Sequence, residues 1–214
     1  VARLLHSRGC TVQVVACQAS HYSEDFLVQL KLYTEKCGSD GLFVFGEARE
    51  FVGGVCGAAL AVEDFQQLVT NAVISIDSLL GTGSKLPLRG GVADLLQAWL
   101  EVPKLERHVR VAIDIPSGID ADSGQVGDLA FTADVTATIQ LPKRGMLQYP
   151  ARSRCGLLEL VDIGLNCSAA TEFQQILGEQ LPPFYDRDPQ SHKGDFGSVL
   201  VIGGSASMPG APVL

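Results

Sequence analysis

Two strand-like runs in this chain end in the same way. Residues 72–76 and 109–113 are short stretches rich in β-branched and other apolar residues, and each stops at an aspartate that opens a glycine-bearing loop. The loops are Asp77-Ser-Leu-Leu-Gly-Thr-Gly83 and Asp114-Ile-Pro-Ser-Gly118. A carboxylate that closes an apolar strand is costly to bury unless donors or a cation meet it. Two such endings constrain the fold more than any other feature. They suit strands that run the same way and place their C-terminal ends on one edge, where open α/β sheets bind ligands.

The rest of the pattern supports that arrangement. Helical spacing marks 1–8, 23–36, 62–68 and 91–101, with Phe26, Leu27, Leu30 and Tyr33 on one face of the second and Val92, Leu95, Leu96 and Trp99 on one face of the fourth. Strands are predicted at 11–16, 41–45, 72–76, 109–113, 133–139 and 156–161. Alternating strands and helices with near-continuous apolar strands predict an α/β three-layer sandwich, its mostly parallel sheet covered on both faces. The first helix starts at Val1 with no cap before it, as at a cut. Residues 167–190, with Pro182-Pro183 and Asp186-Arg-Asp-Pro189, read as a linker to a second unit beginning at Ser191.

Composition excludes several functions. The 214 residues are 46% hydrophobic and 19% charged, with a net charge of −8. Without a Lys/Arg run, a nucleic-acid or anionic-membrane surface is not expected. A small anion is still compatible, because backbone N–H groups bind phosphate without net positive charge. No apolar run is long enough to span a bilayer, and no signal peptide is visible. The six cysteines, Cys10, Cys17, Cys37, Cys56, Cys155 and Cys167, include no Cys-x-x-Cys pair. They read as unpaired thiols of a reduced, cytoplasmic protein.

The candidate site residues follow from the two loops. Gly81 and Gly83 would let backbone approach a ligand and adopt positive φ, and Thr82 adds a hydroxyl. In the second loop Pro116 fixes the turn, Ser117 supplies a hydroxyl and Gly118 permits close approach. Asp77 and Asp114 at one sheet edge suit a bound cation or a general acid/base. The structural alternatives are a tight strand–helix turn and an Asp that caps it. Asp120-Ala-Asp-Ser-Gly124 lacks the spacing of a calcium loop and reads as a turn. Lys143 suits either a phosphate at the same edge or a surface ion pair. His6, His21 and His108 have no sequence partners and are expected in the core or on the surface.

Three stretches in this order resemble the YjeF-type NAD(P)H-hydrate epimerase domain: Ile76-Asp-Ser-Leu-Leu-Gly-Thr-Gly83; Ala112-Ile-Asp-Ile-Pro-Ser-Gly-Ile-Asp120 with Gly124; and Ala133-Asp-Val-Thr136 followed by Pro142-Lys143. A closing strand ending in Val161-Asp-Ile-Gly164 is similar to the family's last strand. The resemblance covers residues 1–166 and implies a Rossmann-like fold that interconverts the R and S hydrates of NADH or NADPH, a small-molecule substrate. It implies potassium at Asp77 and Ser117, substrate contacts from Gly81, Thr82, Gly83, Ser84, Lys85, Leu86, Pro87 and Asp114, and proton transfer by Asp114. It also implies that copies often pair.

The tail carries a second resemblance. Ser191-His-Lys-Gly-Asp-Phe-Gly-Ser-Val-Leu-Val-Ile-Gly-Gly-Ser205 with Gly210 and Ala211 is similar to the first strand of the ribokinase-like NAD(P)H-hydrate dehydratase domain, which uses ADP or ATP. An epimerase domain at 1–166, a linker at 167–190 and a dehydratase beginning at 191–214 match the bifunctional nicotinamide-repair arrangement, with Ala211 a substrate-binding position. The family also carries an Asn-Asn-Gly-Gly-Asp-Gly loop in a segment that would precede Val1, so the chain by itself is expected to be inactive. Two other readings compete. A non-catalytic scaffold on the same fold would have no need of Asp77, Asp114 and Ser117 together. A sugar- or vitamin-kinase relative leaves the first 166 residues unexplained.

Overall fold

The computed structural model describes residues 1–17, 22–46 and 57–165. Val1–Asn166 forms one compact unit, and every described residue lies within it. The expected linker, the dehydratase-like segment and Ala211 lie outside the described residues.

The described residues form four α-helices and seven strands, one strand more than expected. In order they are α1 (Ala2–Ser7), β1 (Val14–Cys17), α2 (Glu24–Cys37), β2 (Leu42–Phe45), β3 (Ala58–Leu60), α3 (Val62–Asn71), β4 (Ile74–Asp77), α4 (Gly91–Leu100), β5 (Val109–Ile113), β6 (Val135–Ile139) and β7 (Leu157–Val161). The best-specified helix is α2. Ser23 Oγ accepts from Phe26 N at 3.2 Å, Glu24 and Asp25 sit in the first turn, and Gly38 closes the helix at φ 77. Leu30 and Tyr33 are buried beneath it. The three-residue β3 was not foreseen, because Ala58-Ala-Leu60 carries neither β-branched residues nor an alternating pattern.

All strand pairs are parallel, but they form two hydrogen-bonded sheets, ordered β1-β2-β3 and β4-β5-β6-β7. In the first sheet the side chains alternate between two cores. Ala16, Leu42 and Val44 face α2, while Val15, Cys17, Phe43 and Phe45 face the opposite core. That opposite core also takes in α3, α4 and Ala112 of β5, so it joins both sheets. A column of aromatic rings runs through it: Phe45 to Phe65 at 5.3 Å, Phe65 to Trp99 at 6.3 Å and Trp99 to Phe131 at 4.6 Å between centroids.

Among the described residues, only the first sheet is covered on both faces. In the second, Ser75, Asp77, Arg110, Ala112, Thr136 and Thr138 are buried on one face. On the other face Ile74 and Val109 are exposed, and Val111, Ile113, Val135 and Ile139 are half-buried. The described helices α3 and α4 pack in the shared core, and none of the described elements closes this second face.

Candidate functional site

The site grows from the register of β4 on β5. Asp77 is the last residue of β4 and lies opposite Ala112, two residues before Asp114. Both aspartates therefore stand at the C-terminal edge of the second sheet, as the sequence predicts.

Asp77 is the more deeply placed, with 1% of its surface exposed. Its Oδ1 accepts from Ser117 Oγ at 2.7 Å and from Leu79 N at 3.2 Å, and its Oδ2 accepts from Ser117 N at 2.7 Å. Ser117 Oγ in turn accepts from Leu80 N at 3.2 Å. Burial pushes the Asp77 carboxyl above its ordinary range, and the bonds from Ser117 and Leu79 pull it partly back. No Lys or Arg is paired with it among the described residues.

Asp77 and Ser117 offer oxygen donors of the kind that a hard cation takes. After the bonds above, Asp77 Oδ2 and Ser117 Oγ each retain a free lone pair. A buried carboxylate without a cationic side chain carries uncompensated charge, and oxygen donors of this kind suit a hard ion rather than a thiophilic metal. Among the described residues no group of three or more His, Cys, Asp or Glu side chains gathers in one place, which argues against a multi-carboxylate or His/Cys metal centre there.

Asp114 is held differently. Its backbone takes φ 69, the left-handed region that a non-glycine residue rarely enters, and its N–H donates to Ala137 O at 2.8 Å. Strain of this kind clusters at functional sites. Its Oδ1 accepts from Ile139 N at 3.1 Å and forms an ion pair with Lys143. Lys143 therefore pairs with the proposed acid/base rather than standing free for a phosphate. No hydrogen bond joins Asp77 to Asp114; the two loops meet through Ser117.

Gly118 explains how the second loop closes. It takes φ 91, and a Cβ there would lie 2.1 Å from the Leu129 carbonyl oxygen. Gly81 and Gly83 behave otherwise. Neither adopts positive φ, and a Cβ on either would meet nothing within 4 Å. Their expected positive φ is thus corrected: the loop turns through Ser84 N to Gly81 O at 3.2 Å with ordinary backbone angles. Gly81, Thr82, Gly83, Lys85 and Pro87 are exposed, while Ser84 and Leu86 are half-buried. The segment forms an open rim beside Asp77.

The other polar groups divide between turn and core. Asp120 Oδ1 accepts from Asp122 N, Ser123 N and Ser123 Oγ, which makes the expected turn. His108 is 2% exposed and hydrogen-bonded to Ser75, away from the aspartate edge at the start of β5. Nothing in the sequence marked that pair, because its members lie 33 positions apart. Cys10, Cys17, Cys37 and Cys155 are free thiols. Burial pushes Cys155 up to about 11, which disfavours its thiolate.

Residues 1–145 match the family described as YjeF-related protein N-terminus. The chain belongs to this family. It is 32% identical over its whole length to the bifunctional NAD(P)H-hydrate repair enzyme Nnr of Moorella thermoacetica, and 37% identical over 99% of its length to the protein of that name from Pyrobaculum aerophilum. It spans 38% of each of those two relatives. The NAD(P)H-hydrate epimerase of Rhodopirellula baltica is 32% identical over 81% of this chain and 63% of its own length. A crystal structure of yeast ynu0 aligns over 71% of this chain and 68% of that one, at 17% identity and a TM-score of 0.43. No helix among the described residues is long and apolar enough to cross a membrane.

Proposed function

We propose that this YjeF-type unit supplies the substrate and cation site of an NAD(P)H-hydrate epimerase. The observation that carries the reading is Asp114. It stands at the ligand edge of a parallel sheet, in a strained backbone conformation, with one carboxylate oxygen engaged and the other without a protein donor among the described residues. Epimerising a hydrated carbon requires a bond to be broken and remade, and a carboxylate that takes a proton and returns it serves both directions without consuming a reagent.

The rim Gly81–Pro87 would hold the dinucleotide, its exposed backbone and the Thr82 hydroxyl facing an anionic ligand. Asp77 and Ser117 would hold potassium. Bound there, the ion would balance the buried charge of Asp77 and offer a positive point to a substrate oxygen. Residues 1–166 would form the epimerase domain, 167–190 a linker and 191–214, with Ala211, the start of an ADP- or ATP-dependent dehydratase domain. The names of the Moorella and Pyrobaculum relatives support that bifunctional reading. The protein would act in the cytoplasm on hydrated NADH or NADPH, and copies would pair.

The test uses the full-length gene product. It is incubated with one purified epimer of NADH hydrate, and the other epimer is followed by reversed-phase chromatography. Conversion well above the spontaneous rate supports the reading. Binding of the hydrate without conversion supports the scaffold reading instead.

A further inference from the structure

The ammonium of Lys143 is fully occupied. Besides its ion pair with Asp114 Oδ1, it donates to Thr138 Oγ1 at 3.1 Å and to the Ile139 carbonyl at 3.1 Å. An ammonium carries three N–H donors, so none is left for a ligand. The side chains of Lys143 and Asp114 are 17% and 19% exposed, which sets this pair apart from the solvent-screened pairs of a protein surface. The other ion pair among the described residues, Lys104 with Asp134, is 47% and 34% exposed.

The consequence falls on Asp114. Its Oδ1 takes two donors, Lys143 Nζ and Ile139 N, both supplied from the end of β6 and the turn after it. Its Oδ2 takes none among the described residues. Thr138 and Ile139 fix Lys143, and Lys143 with Ile139 N fixes the carboxylate plane. We infer that Lys143 is a positioning residue for Asp114: it locks Oδ1 and leaves Oδ2 as the oxygen that exchanges a proton with the substrate. The inference rests on the acid/base reading of Asp114 proposed above. In the exchange Oδ2 accepts a proton from substrate and returns it, so Lys143 neither gains nor loses one.

The test compares wild type, Lys143→Met, Lys143→Arg and Asp114→Asn in the full-length gene product, measuring kcat and KM for epimer interconversion and Tm for each. Lys143→Met is expected to lower kcat on the order of 10–100-fold with KM nearly unchanged, since a misplaced catalytic group costs rate rather than binding. Lys143→Arg, which keeps the charge and several donors, is expected to recover most of that loss. Thr138→Val removes one support of the ammonium, and a smaller fall in kcat at constant KM is expected from it; it also carries the test if Lys143→Met does not fold. Wild-type kcat in Lys143→Met, or in Thr138→Val where Lys143→Met does not fold, overturns the inference. So does a rise in KM at constant kcat, which would make Lys143 a substrate contact. An inactive wild type overturns this inference together with the reading of Asp114, whereas an active wild type with an indifferent Lys143 overturns this inference alone.

Discussion

His108 shows how a single residue can set a pH limit on the fold. It is buried against Ser75, and burial together with the nearby Arg110 and Lys104 charges lowers its affinity for a proton, against a smaller opposing pull from Asp134. The unfolded chain takes up a proton near pH ~6.5, while the folded chain resists it to lower pH. The unfolded state therefore binds more protons below that point, and stability falls as pH falls through this window. Urea denaturation at pH 7.5 and 5.5 is expected to show a larger loss of stability for wild type than for His108→Gln. At the other edge of the sheet, Ser117→Ala removes a donor from buried Asp77 and the acceptor of Leu80 N. An expected cost of about 1–3 kcal/mol, read from the same denaturation curves, reflects groups left unpaired in a buried place.

Among the elements, the loop after β5 tolerates little change. Gly118→Ala would require a left-handed alanine and a Cβ inside the Leu129 carbonyl. A loss of ~2 kcal/mol or more is expected in urea denaturation, with roughly 1–2 kcal/mol from the left-handed backbone and the rest from the clash with Leu129. Much of this scale was legible in the sequence. Apolar spacing located α2, α3 and α4, and the β-branched runs located β4, β5 and β6, because these segments bury side chains at their own period. The two Asp–Gly loops marked the C-terminal edge of the second sheet for the same reason: strand ends and turns have local chemistry. What escaped was non-local. Alanine-rich β3 is a strand only because β2 pairs with it. The Ser75–His108 and Lys143–Asp114 pairs join residues 33 and 29 positions apart. Positive φ was expected at Gly81 and Gly83 but occurs at Asp114 and Gly118, where the loop must turn back against Leu129 and Ala130.

At the scale of the whole molecule, one core fastens two parallel sheets together, and the candidate site sits at the edge of only one of them. Its two halves are held separately: Asp77 by the Ser117 loop, Asp114 by the end of β6. A cation that binds the folded site and not the unfolded chain stabilises the protein by mass action, about 2.7 kcal/mol at one hundred times its dissociation constant. Thermal unfolding of the chain in potassium chloride against choline chloride at equal ionic strength is expected to show a higher Tm with potassium, and Asp77→Ala is expected to remove the difference. The central claim concerns Asp114, and it is tested most directly by the approach to epimer equilibrium from a single purified NADH hydrate epimer, followed for the full-length wild type and for Asp114→Asn. The account predicts rapid equilibration by wild type and a rate lower by roughly 10²–10⁴-fold in the variant, the range that a lost general acid/base commands. Equal rates in the two proteins would contradict it.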